Sequence, residues 1–170
     1  MPTRIDSMMS RGLGKVKAMK ARLSGLVGVF KTLAKQHGEI TALLELAKIS
    51  NHKFTELWPK IRQELLSHEK AEVREVFSVL RSYDATCALA DRHDVEASEL
   101  EHLIAHVNKL PIGSPKRREK FQQLTNMVLN HVREEENKMF PKAQKVIGKQ
   151  EAEALNTKFL AAKQQIAEAL

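Results

Sequence analysis

Cysteine, glycine and proline are all scarce in this chain, and each shortage removes a class of protein. The single cysteine, Cys87, excludes an internal disulfide framework and fits a reducing compartment, so a cytoplasmic location is expected. Seven glycines and five prolines in 170 residues leave little material for the turns of an all-β fold. No apolar run approaches the roughly 18 residues of a membrane-spanning helix. Nor does a short apolar segment with a cleavage site suggest secretion. What is present is 42% apolar and 29% charged, a globular balance. The length suits one domain burying roughly two thirds of its unfolded surface.

Acidic residues are missing chiefly at one end. Residues 1–36 hold Arg4, Arg11, Lys15, Lys17, Lys20, Arg22, Lys31 and Lys35 against Asp6 alone, so the net charge of +7 resides there. Residues 37–170 sum to zero.

Apolar residues recur at helical spacing. One stripe runs Leu13, Val16, Met19, Leu23, Leu26, Phe30, Leu33 to His37; a second runs Leu57, Ile61, Leu65, His68, Glu72, Val76, Val79. A third is Leu89, His93, Ala97, Leu100, Ile104, Val107, and a fourth is Phe121, Leu124, Val128, His131, Glu135, Met139. Leu155, Phe159, Ala162, Ile166 and Leu170 form a short fifth. The breaks are "ISNHKFTE", with Asn51 or Thr55 as cap, "RSYDAT", with Ser82 or Asp84, and "LPIGSPKR", where Ser114 caps and Pro115 opens the helix. Gly148 follows the fourth helix. Short connections make neighbouring helices antiparallel. The expected fold is therefore all-α: an up-down-up-down four-helix bundle over residues 25–147, a basic N-terminal arm over 1–24 and a C-terminal helix over 148–170.

Histidines sit inside these apolar stripes, and two are followed by a glutamate one turn later. "LLSHEKAEVREVF" pairs His68 with Glu72, and "LNHVREEENKMF" pairs His131 with Glu135; each also has a phenylalanine nine residues after its histidine, Phe77 and Phe140. Residues i and i+4 share a helix face, so each pair presents two ligands to one point. One such pair would read as a surface or capped pair. Two in matching core positions require compensation, because a buried carboxylate is costly unless paired or metal-bound. In antiparallel helices, residues equidistant from a turn lie at one level, and the three turns then place His37, His68, Glu72, His93, His131 and Glu135 in a single layer. His52 falls in a turn, and His102 and His106 point away from His93's face. Glu75 is a turn away, while Glu134 and Glu136 point away from His131's axis. Imidazoles and carboxylates in this mixture suit two iron or manganese ions, nitrogens capping and carboxylates bridging, and zinc could use the same ligands.

His37, "HEKAE", His93 in "ADRHDVEASELE", and "HVREE" followed by "MFPK" together resemble the hemerythrin-like HHE cation-binding domains, over about residues 25–147. The resemblance implies a four-helix bundle with a non-haem di-iron centre carrying an oxo or hydroxo bridge. Glu72 and Glu135 would bridge, and His37, His68, His93 and His131 would cap. Two departures separate the chain from the oxygen carriers of that family: Leu89 stands where they have a second third-helix histidine, and their last carboxylate is five after its histidine, which here is Glu136. Both point away from reversible oxygen carriage, toward reaction with oxygen, peroxide or nitric oxide, or toward redox and iron sensing.

The basic arm, "SRGLGKVKAMKARLSGLVGVF", combines an apolar stripe with a basic face. It reads as a surface packing on the C-terminal helix or on a second subunit in a homodimer, or else as a contact for a membrane surface or nucleic acid. The alternative for the whole chain is a non-enzymatic helical interaction module with a structural or zinc-filled His/Glu layer. No phosphate loop or Ser–His–Asp set favours a kinase or hydrolase.

Overall fold

Serine caps mark the starts of two of the long helices. In the computed structural model, which describes residues 25–170, regular structure is helical and no strand occurs among the described residues. Helix α1 spans Gly28–Ala47, α2 Asn51–Ala71, the single turn α3 Ser78–Leu80, α4 Asp84–Lys109, α5 Pro115–Glu134 and α6 Phe140–Ala169. Two wider π segments intervene, π1 at Glu72–Phe77 and π2 at Glu135–Met139. Ser114 Oγ accepts from the Arg117 N–H at 3.2 Å with Pro115 at the first helical position, as the sequence predicts.

Two other expected caps are corrected. Helix α2 is capped by Ser50, whose Oγ accepts from the Lys53 N–H at 3.1 Å, rather than by Asn51 or Thr55. Helix α4 has no side-chain cap; Tyr83 occupies the cap position and Asp84 lies in the first turn. The stripe leading to His37 is also not one continuous helix. Gly25 (φ 84°) and Gly28 (φ 55°), the latter the first residue of α1, turn the chain at the helix entry, so Leu26 and Val27 precede the helix. Gly28 is obligatory for a second reason: a Cβ there would lie 2.4 Å from the Ala152 backbone. Gln144 fixes this entry by accepting from the Val27 N–H at 2.8 Å and donating to the Gly25 carbonyl at 2.7 Å. The expected basic arm, residues 1–24, lies outside the described residues.

Buried apolar side chains form two clusters. The first gathers Val29, Phe30, Leu33, Phe77, Leu80, Ala90, Met139, Phe140, Leu155 and Phe159, among others. The second gathers Leu43, Leu44, Phe54, Leu57, Ile61, Leu65, Leu100, Ile104, Phe121, Leu124 and Val128, among others. Along α1 the first cluster's residues precede His37 and the second's follow it. From α2 into π1 the order is reversed, in α4 it returns, and from α5 into π2 it reverses again. A polar layer is thus held between two apolar ones. Helix α6 breaks at Gly148 (φ 79°), and its later half covers the first cluster with Ala152, Leu155, Phe159 and Ala162. Lys163 ties that half to α2 through Glu64 at 2.6 Å.

Candidate metal centre

The six side chains singled out from the sequence meet in that polar layer. His37, His68, Glu72, His93 and Glu135 are each no more than 2% exposed, and His131 is 9% exposed. The Nε2 atoms face inward: His37 to His68 Nε2 at 3.2 Å and to Glu135 Oε2 at 3.1 Å, His68 to Glu72 Oε2 at 3.3 Å. On the other side, His93 Nε2 and His131 Nε2 lie 3.0 and 3.1 Å from Glu135 Oε1. The two oxygens of Glu135 therefore address different histidines, which is the arrangement a bridging carboxylate needs. His52, His102 and His106 are exposed, and Glu75 pairs with Arg74 at 2.8 Å, away from the layer.

The π segments explain the repeated phenylalanines. At 3.6 residues per turn, nine residues carry a side chain about half a turn past its starting face, so a plain α-helix would put Phe77 opposite His68. Each π segment opens at the inward glutamate and sets residue i+5 on the face of residue i. Phe77 follows Glu72 inward and stacks on His93, centroids 3.7 Å apart; Phe140 follows Glu135 and stacks on His37 at 5.7 Å. Each duplicated phenylalanine thus steadies a histidine of another helix. Phe159, from the C-terminal half of α6, meets His68 edge-on at 5.9 Å.

One residue was missed. Glu69 is 3% exposed, with Oε1 3.3 Å from His131 Nε2 and Oε2 3.7 Å from His93 Nε2. It directly follows His68, so it lies about 100° round the helix from the stripe. That angle points it toward the α4–α5 side of the layer. The dipeptide "HE" was the available signal, and its counterpart after His131 is Val132, so the third carboxylate breaks the internal symmetry. With Glu69 included, the layer holds three buried carboxylates rather than two.

Outer acceptors orient the rings. His37 Nδ1 meets Glu136 Oε1 at 3.1 Å, His68 Nδ1 meets Gln36 Oε1 at 2.9 Å, and His131 Nδ1 meets Glu96 Oε2 at 3.2 Å. An acceptor on Nδ1 holds its proton there and leaves Nε2 free to coordinate, as outer-shell partners of metal-bound histidines do. Glu136 was expected to point away; it does lie outside the layer, but it reaches back to His37 from the rim.

The charges in this layer are strongly coupled. Burial opposes protonation of His37, but the Glu135 and Glu136 carboxylates outweigh it and raise it to about 9. Burial and the neighbouring His37 charge push His68 down to about 3. Metal-free, the pair is therefore an imidazolium donating to a neutral imidazole. Burial also opposes the His131 charge, yet Glu135 and Glu69 hold it well above the usual histidine value. Burial and the Glu135 charge drive Glu72 far upward, whereas burial fails to raise Glu135 because His131, His37 and His93 hold it well down.

Whether a metal fits can be judged from the atoms left without partners. Both oxygens of Glu72 and of Glu135, Glu69 Oε2, His93 Nε2 and His131 Nε2 are buried without a hydrogen bond. Native interiors leave few such groups, and here they converge. Donors from His37, His68 and Glu72 fall within 4.8 Å of one another, as do those from Glu69, His93 and His131, and those from Glu72, His93 and Glu135. Neighbouring donors on one ion at about 2.1 Å lie about 3 Å apart, close to the separations seen here. His131, the most exposed of the ligand-type side chains, also lines a cleft of about 320 Å³ with Glu96, Leu100, Met127, Asn130 and Glu134.

No solved structure matches the chain. A DNA nickase of Nostoc sp. (strain PCC 7120 / SAG 25.82 / UTEX 2576) is 26% identical over 92% of this chain, which spans about half (49%) of that relative's length. The sequence model of the hemerythrin HHE cation binding domain matches residues 28–143, a stretch that contains every histidine and carboxylate of the layer. The chain belongs to the hemerythrin HHE cation-binding domain family.

Proposed function

We propose that the protein is a non-haem di-iron protein that binds or reacts with oxygen, peroxide or nitric oxide and serves as a stress or iron/redox sensor. The observation that carries this reading is the convergence of buried imidazole nitrogens and carboxylate oxygens that lack any other partner. His37, His68 and Glu72 would hold one ion, and Glu69, His93 and His131 the other, with Glu135 and Glu72 between them. A pair of irons in such a site supplies one-electron chemistry and a coordination position for a small diatomic or peroxide ligand. The chain's own residues provide the rest. Glu136, Gln36 and Glu96 hold the Nδ1 protons, Phe77 and Phe140 fix two rings, and the apolar clusters exclude water.

The alternation of apolar clusters along α1, α2, α4 and α5 supports an up-down-up-down bundle over 25–147, followed by the helix 148–170. Metal analysis tests the function: two irons per chain, with oxo-to-iron absorption that changes on adding peroxide, is the expected result. Colourless protein with one zinc would remove the di-iron reading. Manganese in place of iron would keep the ligand set and change the chemistry.

A second reading draws on two observations, the concentration of the net charge in residues 1–36 and the name of the Nostoc relative. It is a helical module whose arm contacts nucleic acid, with the layer structural or zinc-filled. Mixing the metal-loaded chain with a labelled DNA duplex separates the two, since salt-sensitive binding without strand cleavage, lost on deleting residues 1–24, would favour this non-enzymatic reading.

A further inference from the structure

Arg117 is an anomaly far from the metal layer. It is only 7% exposed, yet its guanidinium makes no hydrogen bond or ion pair among the described residues, and its Nε is buried without a partner. Its visible contact is with the face of Phe54, 4.4 Å from Cζ to the ring centroid. A cation–π contact offsets only part of the cost of shielding Nε and one face of the guanidinium from water, while its outer end is left at the cavity wall. A buried arginine of this kind fits an anion that completes its fork.

The surroundings favour the same ligand. Arg117 lines a cavity of about 530 Å³ where the α1–α2 and α4–α5 connections meet, beyond the second apolar cluster. Arg118 and Lys48 also line it and no carboxylate does, although Lys48 is engaged by Glu45 at 2.8 Å. Two long helices begin at its wall. Ser50 and Ser114, the N-caps of α2 and α5, both line the cavity, so the positive ends of both helix dipoles lie against it. Cation fork, second arginine and paired helix N-termini together match a doubly charged oxyanion better than a carboxylate.

We propose that this cavity is a phosphate-binding site in which Arg117 and Arg118 grip the phosphate oxygens between the starts of α2 and α5. The phosphate can belong to a small phosphate ester or to a nucleic-acid backbone, and the site recognises the group that both share. It does not depend on what the metal layer does.

Calorimetric titration of the metal-loaded full chain with inorganic phosphate is the test, with metal content measured on every sample. Saturable binding is expected, weakened about tenfold or more in Arg117→Gln and in Arg118→Gln at unchanged metal content. Arg118 is exposed, so Arg118→Gln keeps the test valid if Arg117→Gln folds poorly. Phosphate held by the metal centre instead would bind both variants as tightly as the parent, and that result overturns the proposal, as does absence of saturable binding. Repeating the titration with a nucleoside monophosphate and with single-stranded and duplex oligonucleotides identifies the source. Oligonucleotide binding competed by phosphate and weakened in both variants indicates the backbone; binding confined to phosphate and the monophosphate indicates a small ester.

Discussion

At Glu135 two oxygens face opposite ways, toward His37 and toward the His93–His131 pair, so its loss uncouples both halves of the layer at once. Glu135→Ala and His68→Ala are each expected to strip at least one metal ion per chain, measured by elemental analysis. His102→Ala and His106→Ala, on the exposed face of α4, should leave stoichiometry unchanged. Glu69→Ala should lose the ion on the His93–His131 side, whereas Glu136→Gln, acting through His37 Nδ1, should weaken metal affinity by roughly 10–100-fold without abolishing it. Proton linkage gives a further expectation. His37, His93 and His131 have raised folded values, so their stabilisation of the metal-free protein is complete below the unfolded value of 6.5. It is lost as pH rises through the folded values, for His37 about 9. The raised Glu72 acts in the same direction; the depressed Glu69 and Glu135 give a stabilisation already complete above 4.5, and the penalty from the depressed His68 fades as pH rises through 6.5, so none of these three lowers stability at higher pH. Thermal midpoints of metal-free protein should therefore fall from pH 6.5 to 9. Metal affinity should rise over the same range, because coordination displaces those protons. A flat metal-free profile would contradict this assignment of charges.

Among the elements, π1 and π2 do the most to shape the centre, because each converts a nine-residue spacing from opposite faces to one face. Deleting exposed Arg74 from π1 should restore an ordinary helix in which Phe77, then four residues after Glu72, keeps its inward face against His93. The expected outcome is retained helical circular dichroism and retained metal content; loss of metal would show that the wider turn itself is needed to aim Glu72. Gly28 offers a second test. Its positive φ and its contact with Ala152 make Gly28→Ala costly by about 2–4 kcal/mol, adding left-handed strain to overpacking. A denaturant midpoint within error of the parent would refute that contact.

For the whole molecule, the layer couples metal to folding. Three buried carboxylates and four buried histidines are poorly satisfied by one another, so removing metal with a chelator should lower the melting temperature, and metal excess should restore it. Deleting residues 1–22 should spare metal content and change self-association, read by sedimentation. No described helix is long and apolar enough to cross a membrane.

The sequence by itself determined the helices, their apolar faces and the level at which six ligand-type side chains meet, because helical periodicity and turn spacing are local properties. It also carried Ser114 and Pro115 as a start signal, since a cap needs only its own first turn. Tertiary structure decided the rest. Ser50 rather than Asn51 caps α2 because the backbone turns there, a choice that several polar neighbours left open. Glu69 enters the layer because two other helices lie beside its face, and Phe77 and Phe140 turn inward because the helix widens after each glutamate. Arg117 shows the same division: its residue type is written in the chain, but its burial beside two helix starts exists only once distant turns are packed together.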